Sequence, residues 1–152
     1  MKLLLVIALA GFVPAAVLAQ DQPAEPVAAE LGSGTAPLAA ADVDLADFVW
    51  TRRPLVVFAD NPADPAYIQQ MLLLAEDAAA LAERDVVLIV DTDPAARTAL
   101  RQKLRPRGFS LVWIDKDGSV RLRKPSPWTV REIVQAIDKT PLRLEEIGKD
   151  GS

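Results

Sequence analysis

Cysteine and histidine are both absent from this chain of 152 residues. Without cysteine there is no disulfide, no thiolate nucleophile, no Cys-bound zinc or iron–sulfur cluster, and no redox-active Cys-x-x-Cys pair. Without histidine there is no Ser-His-Asp triad, no imidazole base, no imidazole-held haem or zinc, and no histidine pH switch. What remains is carboxylate, Lys/Arg, tyrosine and hydroxyl chemistry, or binding without chemistry. The residues present call for no cofactor. The length suits one domain.

Lys2 precedes an apolar run from Leu3 to Phe12, and Gly11 and Pro14 interrupt its end. Val17 and Ala19 then put small residues three and one positions before a cleavage point at Gln20. These are the three parts of a secretory signal peptide, so residues 1–19 are expected to be removed on export to the periplasm or beyond. The competing reading is an uncleaved anchor. The stretch Leu3 to Ala19 is short for a bilayer span and is broken by proline, so no stable membrane insertion is expected after cleavage. Residues 20–43 are rich in Ala and Pro, carry Asp21, Glu25 and Glu30 early on, and show no period of two or 3.6. They read as a flexible, weakly acidic linker. The folded domain is expected over residues 44–148. A domain of roughly 110 residues buries about two-thirds of its unfolded surface, enough to stand without disulfides.

Pro54-Leu55-Val56-Val57-Phe58-Ala59 is a short apolar run stopped by Asp60-Asn61-Pro62, hence a buried strand. Asp64-Pro65 then supplies a helix N-cap and a first-turn proline, and the spacing predicts a helix to about Glu83. Val86 to Val90 is a second buried strand, ending at Asp91-Thr92-Asp93-Pro94, a second Asp-Pro helix start. That helix is expected to reach Leu104, before Arg105-Pro106-Arg107-Gly108 breaks it. Phe109 to Ile114 reads as a third strand and Lys116-Asp117-Gly118 as a hairpin turn. Val120 and Leu122 alternate with Arg121 and Arg123 in a fourth strand with one wet face. Thr129-Val130-Arg131-Glu132 is a capping box opening a helix with Val130, Ile133, Val134 and Ile137 on one face. The order β-α-β-α-β-β-α predicts an α/β layered sheet, parallel across both strand–helix–strand steps and antiparallel at the hairpin, with helices on both faces.

This register resembles thioredoxin. Val57-Phe58 falls at the end of the active-site strand, and Ala63-Asp64-Pro65-Ala66 falls on the Cys-Gly-Pro-Cys segment, with both cysteines replaced by alanine. Gly108-Phe109-Ser110-Leu111 falls on the cis-proline loop, with Ser110 in place of that proline. A closer similarity is to an uncharacterised secreted bacterial family described as thioredoxin-like, domain of unknown function 4174. The matching residues are Phe48-x-Trp50, Arg53 to Phe58, Arg84-Asp85-Val86-Val87, Lys116-Asp117-Gly118 and Ile137-Asp138-x-x-Pro141-x-Arg143-x-x-Glu146. Asp115 departs from an expected Gly, and Thr140 from an expected Met. The resemblance implies a thioredoxin-like fold and export, and brings no activity.

Two acidic pairs stand at strand ends. Asp60 and Asp64 bracket the loop where thioredoxin keeps its cysteines, a place where α/β proteins bind ligands; a turn residue plus a helix cap explains them adequately and is the preferred reading. Asp91 and Asp93 offer hard oxygens, but two carboxylates are too few for a cation site, so no metal is expected. Charge is unevenly spread. From Gln20 to Ala96 there are 3 basic and 14 acidic residues, whereas from Arg97 to Arg131 there are 10 basic and 2 acidic. Arg97, Arg101 and Arg105 would form one row on a continuous helix. This segment reads either as a solvated face or as a surface for an anionic envelope ligand or an unidentified protein. Nucleic acid is not expected of an exported chain with net charge −4 and 5% aromatic residues. In the expected fold, loops 60–64, 107–110 and 124–128 form a groove holding Asp60, Asp64, Arg107, Lys124 and Trp128. The groove suits either a binding module or, alternatively, a carboxylate/Lys enzyme or small-anion binder. Trp50 and Trp113 are assigned to packing, and Arg143 to clamping the C-terminal tail by an ion pair.

Overall fold

The structure is a computed structural model, and it describes residues 36–151. The expected signal peptide and most of the expected linker lie outside the described residues. Five strands form one sheet: β1 (Leu38–Ala39), β2 (Arg53–Phe58), β3 (Val86–Asp91), β4 (Ser110–Ile114) and β5 (Val120–Lys124). Their spatial order is β1-β3-β2-β4-β5. β1 and β2 flank β3 in parallel, while β4 runs antiparallel to both β2 and β5. The helices are α1 (Pro65–Ala75), α2 (Ala78–Ala82), α3 (Ala99–Leu104), α4 (Val130–Asp138) and α5 (Pro141–Asp150).

The parallel pairing expected of the second strand–helix–strand step is corrected: β4 pairs antiparallel with β2. The reason is length. A helix of 6 residues such as α3 advances only about 9 Å, whereas returning along a six-residue strand needs about 20 Å. The chain therefore re-enters the sheet at the end where β3 left it. The expected continuous helix from Pro65 to Glu83 is also interrupted. Asp77 adopts a non-helical backbone and its carboxylate accepts from the Ala80 amide, so it caps a second helix. The linker boundary moves as well, because Leu38–Ala39 pairs with Ile89–Val90 and Ala40 is buried.

Alternation along β2 and β4 sends side chains to two cores. Leu55, Val57, Leu111 and Trp113 meet α1, α2 and α4 through Met71, Leu74, Leu81, Ile133 and Ile137. Val56, Phe58, Val112 and Ile114 meet α3 through Leu100 and Leu104. Helices thus cover both faces. α5 was not expected as an element. Its start is Thr140, whose hydroxyl accepts from the Arg143 amide, followed by Pro141 in the first turn.

Candidate functional site

β2 and β3 stop at the same end of the sheet, and loops 60–64 and 92–98 leave from it. Asp64 is committed to the helix behind it: its Oδ1 accepts from the Ala66 amide at 2.8 Å and the Tyr67 amide at 3.4 Å. Those are donors of the first turn of α1, so the carboxylate acts as an N-cap. Ala63 is exposed and Ala66 half-buried on either side of it. Asp60 is exposed and lies beside Gly108, whose φ of +58° sets the turn into β4.

The arginines do not form the expected helical row. Pro94–Ala96 is a 3₁₀ turn that ends at Arg97 in the left-handed region, φ +46°. Thr98 then caps a new helix, and Arg105, also left-handed at φ +49°, ends it. Only Arg101 is helical, and it is structural. Its Nη2 donates to Asp91 Oδ1 at 2.8 Å and to the Ala59 carbonyl at 3.0 Å, and its guanidinium lies 5.4 Å from the Phe58 ring centroid. Thr98 Oγ1 donates to the other Asp91 oxygen at 2.6 Å. Asp91 is therefore spent on the α3 connection, and Asp93 caps the 3₁₀ turn through the Ala95 amide.

The three loops expected to converge do adjoin, but their side chains divide between the two faces. Residues paired across strands share a face. Lys124 pairs with Leu111 and so faces the α1/α4 side, whereas Arg123 pairs with Val112 and faces the α3 side. Lys124 Nζ sits 4.4 Å from the Trp128 ring centroid. Trp128 is fixed by Gln70, a fully buried side chain of α1 that donates to the Trp128 carbonyl and accepts from its amide, both at 2.8 Å. Gln70→Leu is expected to cost about 2 kcal/mol by leaving that amide and carbonyl unpaired. Thermal unfolding and faster hydrogen exchange at the Trp128 amide would register it; an unchanged exchange rate would mean the loop is held by packing.

On the α3 side a groove of about 440 Å³ is lined by Leu104, Arg105, Arg107, Phe109, Ser110, Arg123 and Pro125. Arg107 thus joins Arg105 and Arg123 there, while Asp60, Asp64, Lys124 and Trp128 do not line it. Arg97 is exposed and lies outside this groove. The sequence reading noted Arg123 on the wet face of its strand but did not place it in the site; its alternation with Leu122 was the available signal.

The opposite end of the sheet carries a second constellation that sequence reasoning did not assemble. Arg53, fully buried, donates from Nε to Asp115 Oδ1 at 2.9 Å, from Nη1 to the Arg84 carbonyl at 2.9 Å, and from Nη2 to Glu146 Oε1 at 3.0 Å. Lys116 Nζ reaches Asp85 at 2.7 Å and Glu146 at 2.8 Å. Arg143 pairs with Glu146 at 3.1 Å, and Arg84 pairs through two bonds with Asp138. Hydrogen bonding to Arg84 holds the Asp138 carboxyl below the usual carboxylate range, and the same bond raises Arg84. Burial opposes ionisation of Glu146, but hydrogen bonds from Lys116, Arg53 and Arg143 outweigh it and bring its pKa down to about 2. The network ties α4 and α5 to the start of β2 and the end of β4. Trp50, assigned to packing from sequence, is 66% exposed beside this network, with φ +63° and its amide donating to the Lys116 carbonyl at 2.7 Å. Trp113 is buried.

Residues 44–146 match the sequence profile of a domain of unknown function, DUF4174. The chain belongs to this family. Among characterised sequences it is similar to coiled-coil domain-containing protein 80 of Danio rerio, 28% identical over 133 residues, which is 68% of this chain and 15% of that protein. The DUF4174 chain therefore spans a small part of that relative. Among solved structures it is similar to the reduced 2-Cys peroxiredoxin of Plasmodium vivax, with a TM-score of 0.54 and 17% identity, covering 68% of this chain and 85% of that one. The likeness shows the fold: the DUF4174 domain is thioredoxin-like. It carries no Cys-x-x-Cys pair, because the chain has no cysteine. Among the described residues, no helix is long and apolar enough to cross a membrane.

Proposed function

We propose that this chain is an exported, non-redox binding domain that holds its partner non-covalently at the end of the sheet where β2 and β3 stop. The observation carrying this reading is the start of α1. The segment that aligns with the thioredoxin redox pair has exposed Ala63 and half-buried Ala66, and its one acid, Asp64, is spent on capping the helix. The enzyme reading loses support from the division of Arg107 and Lys124 between opposite faces. Export is supported by the tripartite pattern of residues 1–19.

Three measurements test the reading. The purified chain is expected to reduce insulin no faster than buffer, with or without added dithiothreitol, since no thiol exists to pass electrons. A photo-crosslinking residue placed at Ala63 is expected to capture a discrete partner in the exporting cell, whereas one at exposed Lys139, on the far side of α4, captures none. Equal capture from both positions, or none from Ala63, overturns the binding reading. N-terminal sequencing of the exported chain is expected to begin at Gln20; a retained Met1 overturns the export reading.

A further inference from the structure

We infer that the groove between Arg105, Arg107 and Arg123 is an anion site for an organic ligand bearing a phosphomonoester group. The inference deepens the binding reading above and rests on it.

Three observations carry it. First, three arginines line one groove, and no carboxylate among the described residues lies within 4.0 Å of the guanidinium of any of them. The contrast within the chain is sharp. Arg53, Arg84, Arg101, Arg121 and Arg143 each have an acidic partner. Of the six arginines with no acidic partner among the described residues, three line this one groove, and Arg52, Arg97 and Arg131 lie elsewhere. Three full positive charges also outweigh the negative end of the α3 dipole, worth about half a charge, that points the same way.

Second, the lining is mixed. Leu104 and Pro125 supply apolar surface, and Ser110 supplies a hydroxyl with no hydrogen-bond partner among the described residues. A volume near 440 Å³ falls within the roughly 300–1,000 Å³ usual for small-molecule sites. A bare inorganic ion would leave the apolar lining unused. A carboxylate is satisfied by one bidentate arginine, whereas a doubly charged tetrahedral oxyanion can take donors from several.

Third, the backbone holds the arginines where they are. Arg105 takes φ +49°, a region a non-glycine side chain enters only with strain, and Gly108 follows at φ +58°. The two left-handed residues enclose Pro106 and Arg107, so the segment makes a tight turn that puts Arg105 and Arg107 on the groove opposite Arg123 of β5.

The test is calorimetric titration of the full exported chain with phenyl phosphate, inorganic phosphate, benzoate and benzyl alcohol. Phenyl phosphate is expected to bind tightest, and benzyl alcohol not at all. Arg107→Gln and Arg123→Gln are each expected to weaken phenyl phosphate about tenfold or more. Arg105→Asn serves as the third variant, because asparagine tolerates the left-handed backbone. Arg97→Asn, which removes an exposed left-handed arginine outside the groove, is expected to leave binding within about twofold. Vesicles with and without phosphatidic acid, sedimented with the chain, separate a lipid phosphate from a soluble one; binding to either that depends on Arg123 supports the site. Benzoate binding as well as phenyl phosphate, or an Arg97→Asn loss equal to that of Arg123→Gln, overturns it. Failure of phenyl phosphate to bind the parent chain while Ala63 still captures its partner would overturn the anion site and leave the binding reading intact.

Discussion

Arg53→Met is expected to destabilise the domain by about 3–5 kcal/mol, the largest effect of any single replacement considered for this chain. Methionine keeps most of the side-chain volume, so the loss is not mainly a cavity. It comes from Asp115, whose side chain is 0% exposed and is left a buried carboxylate facing only the Lys116 amide and Arg121 Nε at 3.5 Å. Glu146 keeps Lys116 and Arg143 and suffers less. Against a total stability of roughly 5–15 kcal/mol for a domain this size, the variant sits near its unfolding threshold. Urea denaturation at neutral pH measures it. Adding Asp115→Gly removes the stranded charge and is expected to recover at least half of the loss. A single-variant loss under about 1 kcal/mol would mean the buried pair is worth no more than an apolar substitute of the same volume.

The parts of this fold that are local in sequence are the parts that can be read from it. Leu55 to Phe58 is a buried strand because four consecutive residues point alternately into two cores, and an unbroken apolar run is the trace that leaves. The starts of α1 and α4 are legible because a cap is a contact between residues two or three apart. The network around Arg53 leaves no such trace. Its bonds join residues 62 and 93 positions apart, and an arginine in an otherwise apolar strand does not announce its partners. Asp115 looked like a departure in a turn, yet it supplies the carboxylate that Arg53 needs.

The candidate site failed in a different way. The expected row of Arg97, Arg101 and Arg105 assumed one helix from Asp93 to Leu104. Two left-handed residues end that assumption, and both are arginines, which carry no preference for that region. The same holds for Trp50: a tryptophan at φ +63° is pushed outward by its backbone, while hydropathy alone sends it inward. What survived from the sequence is the uneven charge. The basic segment is real, but folding locks Arg101 on Asp91, pairs Lys116 and Arg121 with carboxylates of their own, and gathers Arg105, Arg107 and Arg123 at a groove.

Acid is expected to loosen the C-terminal helix through Glu146. Its carboxyl titrates at about 2 in the folded chain against 4.5 for the free group. Between those values the unfolded chain binds a proton that the folded chain refuses, so stability rises with pH across that window. The contribution is fully present above pH 4.5 and is lost progressively as pH falls toward 2. At about 1.4 kcal/mol per unit, and with the side chain 26% exposed, it amounts to roughly 2–3 kcal/mol after solvent screening. Asp138 and Asp117 are also held below the usual carboxylate range, by Arg84 and by Ser119 respectively, so the whole domain weakens in acid. Glu146→Gln isolates one share of that slope. At pH 7 the variant is expected to be less stable by roughly 2–3 kcal/mol, and the gap between it and the parent chain is expected to close as pH approaches 2. A gap that stays constant from pH 7 to 2.5 would assign Glu146 a packing role. Arg53 of β2 and Lys116 of the turn after β4 converge on this one carboxylate, beside Arg143 of its own helix; its protonation therefore weakens two attachments of α5 at once, and hydrogen exchange in α5 should rise before that of β2.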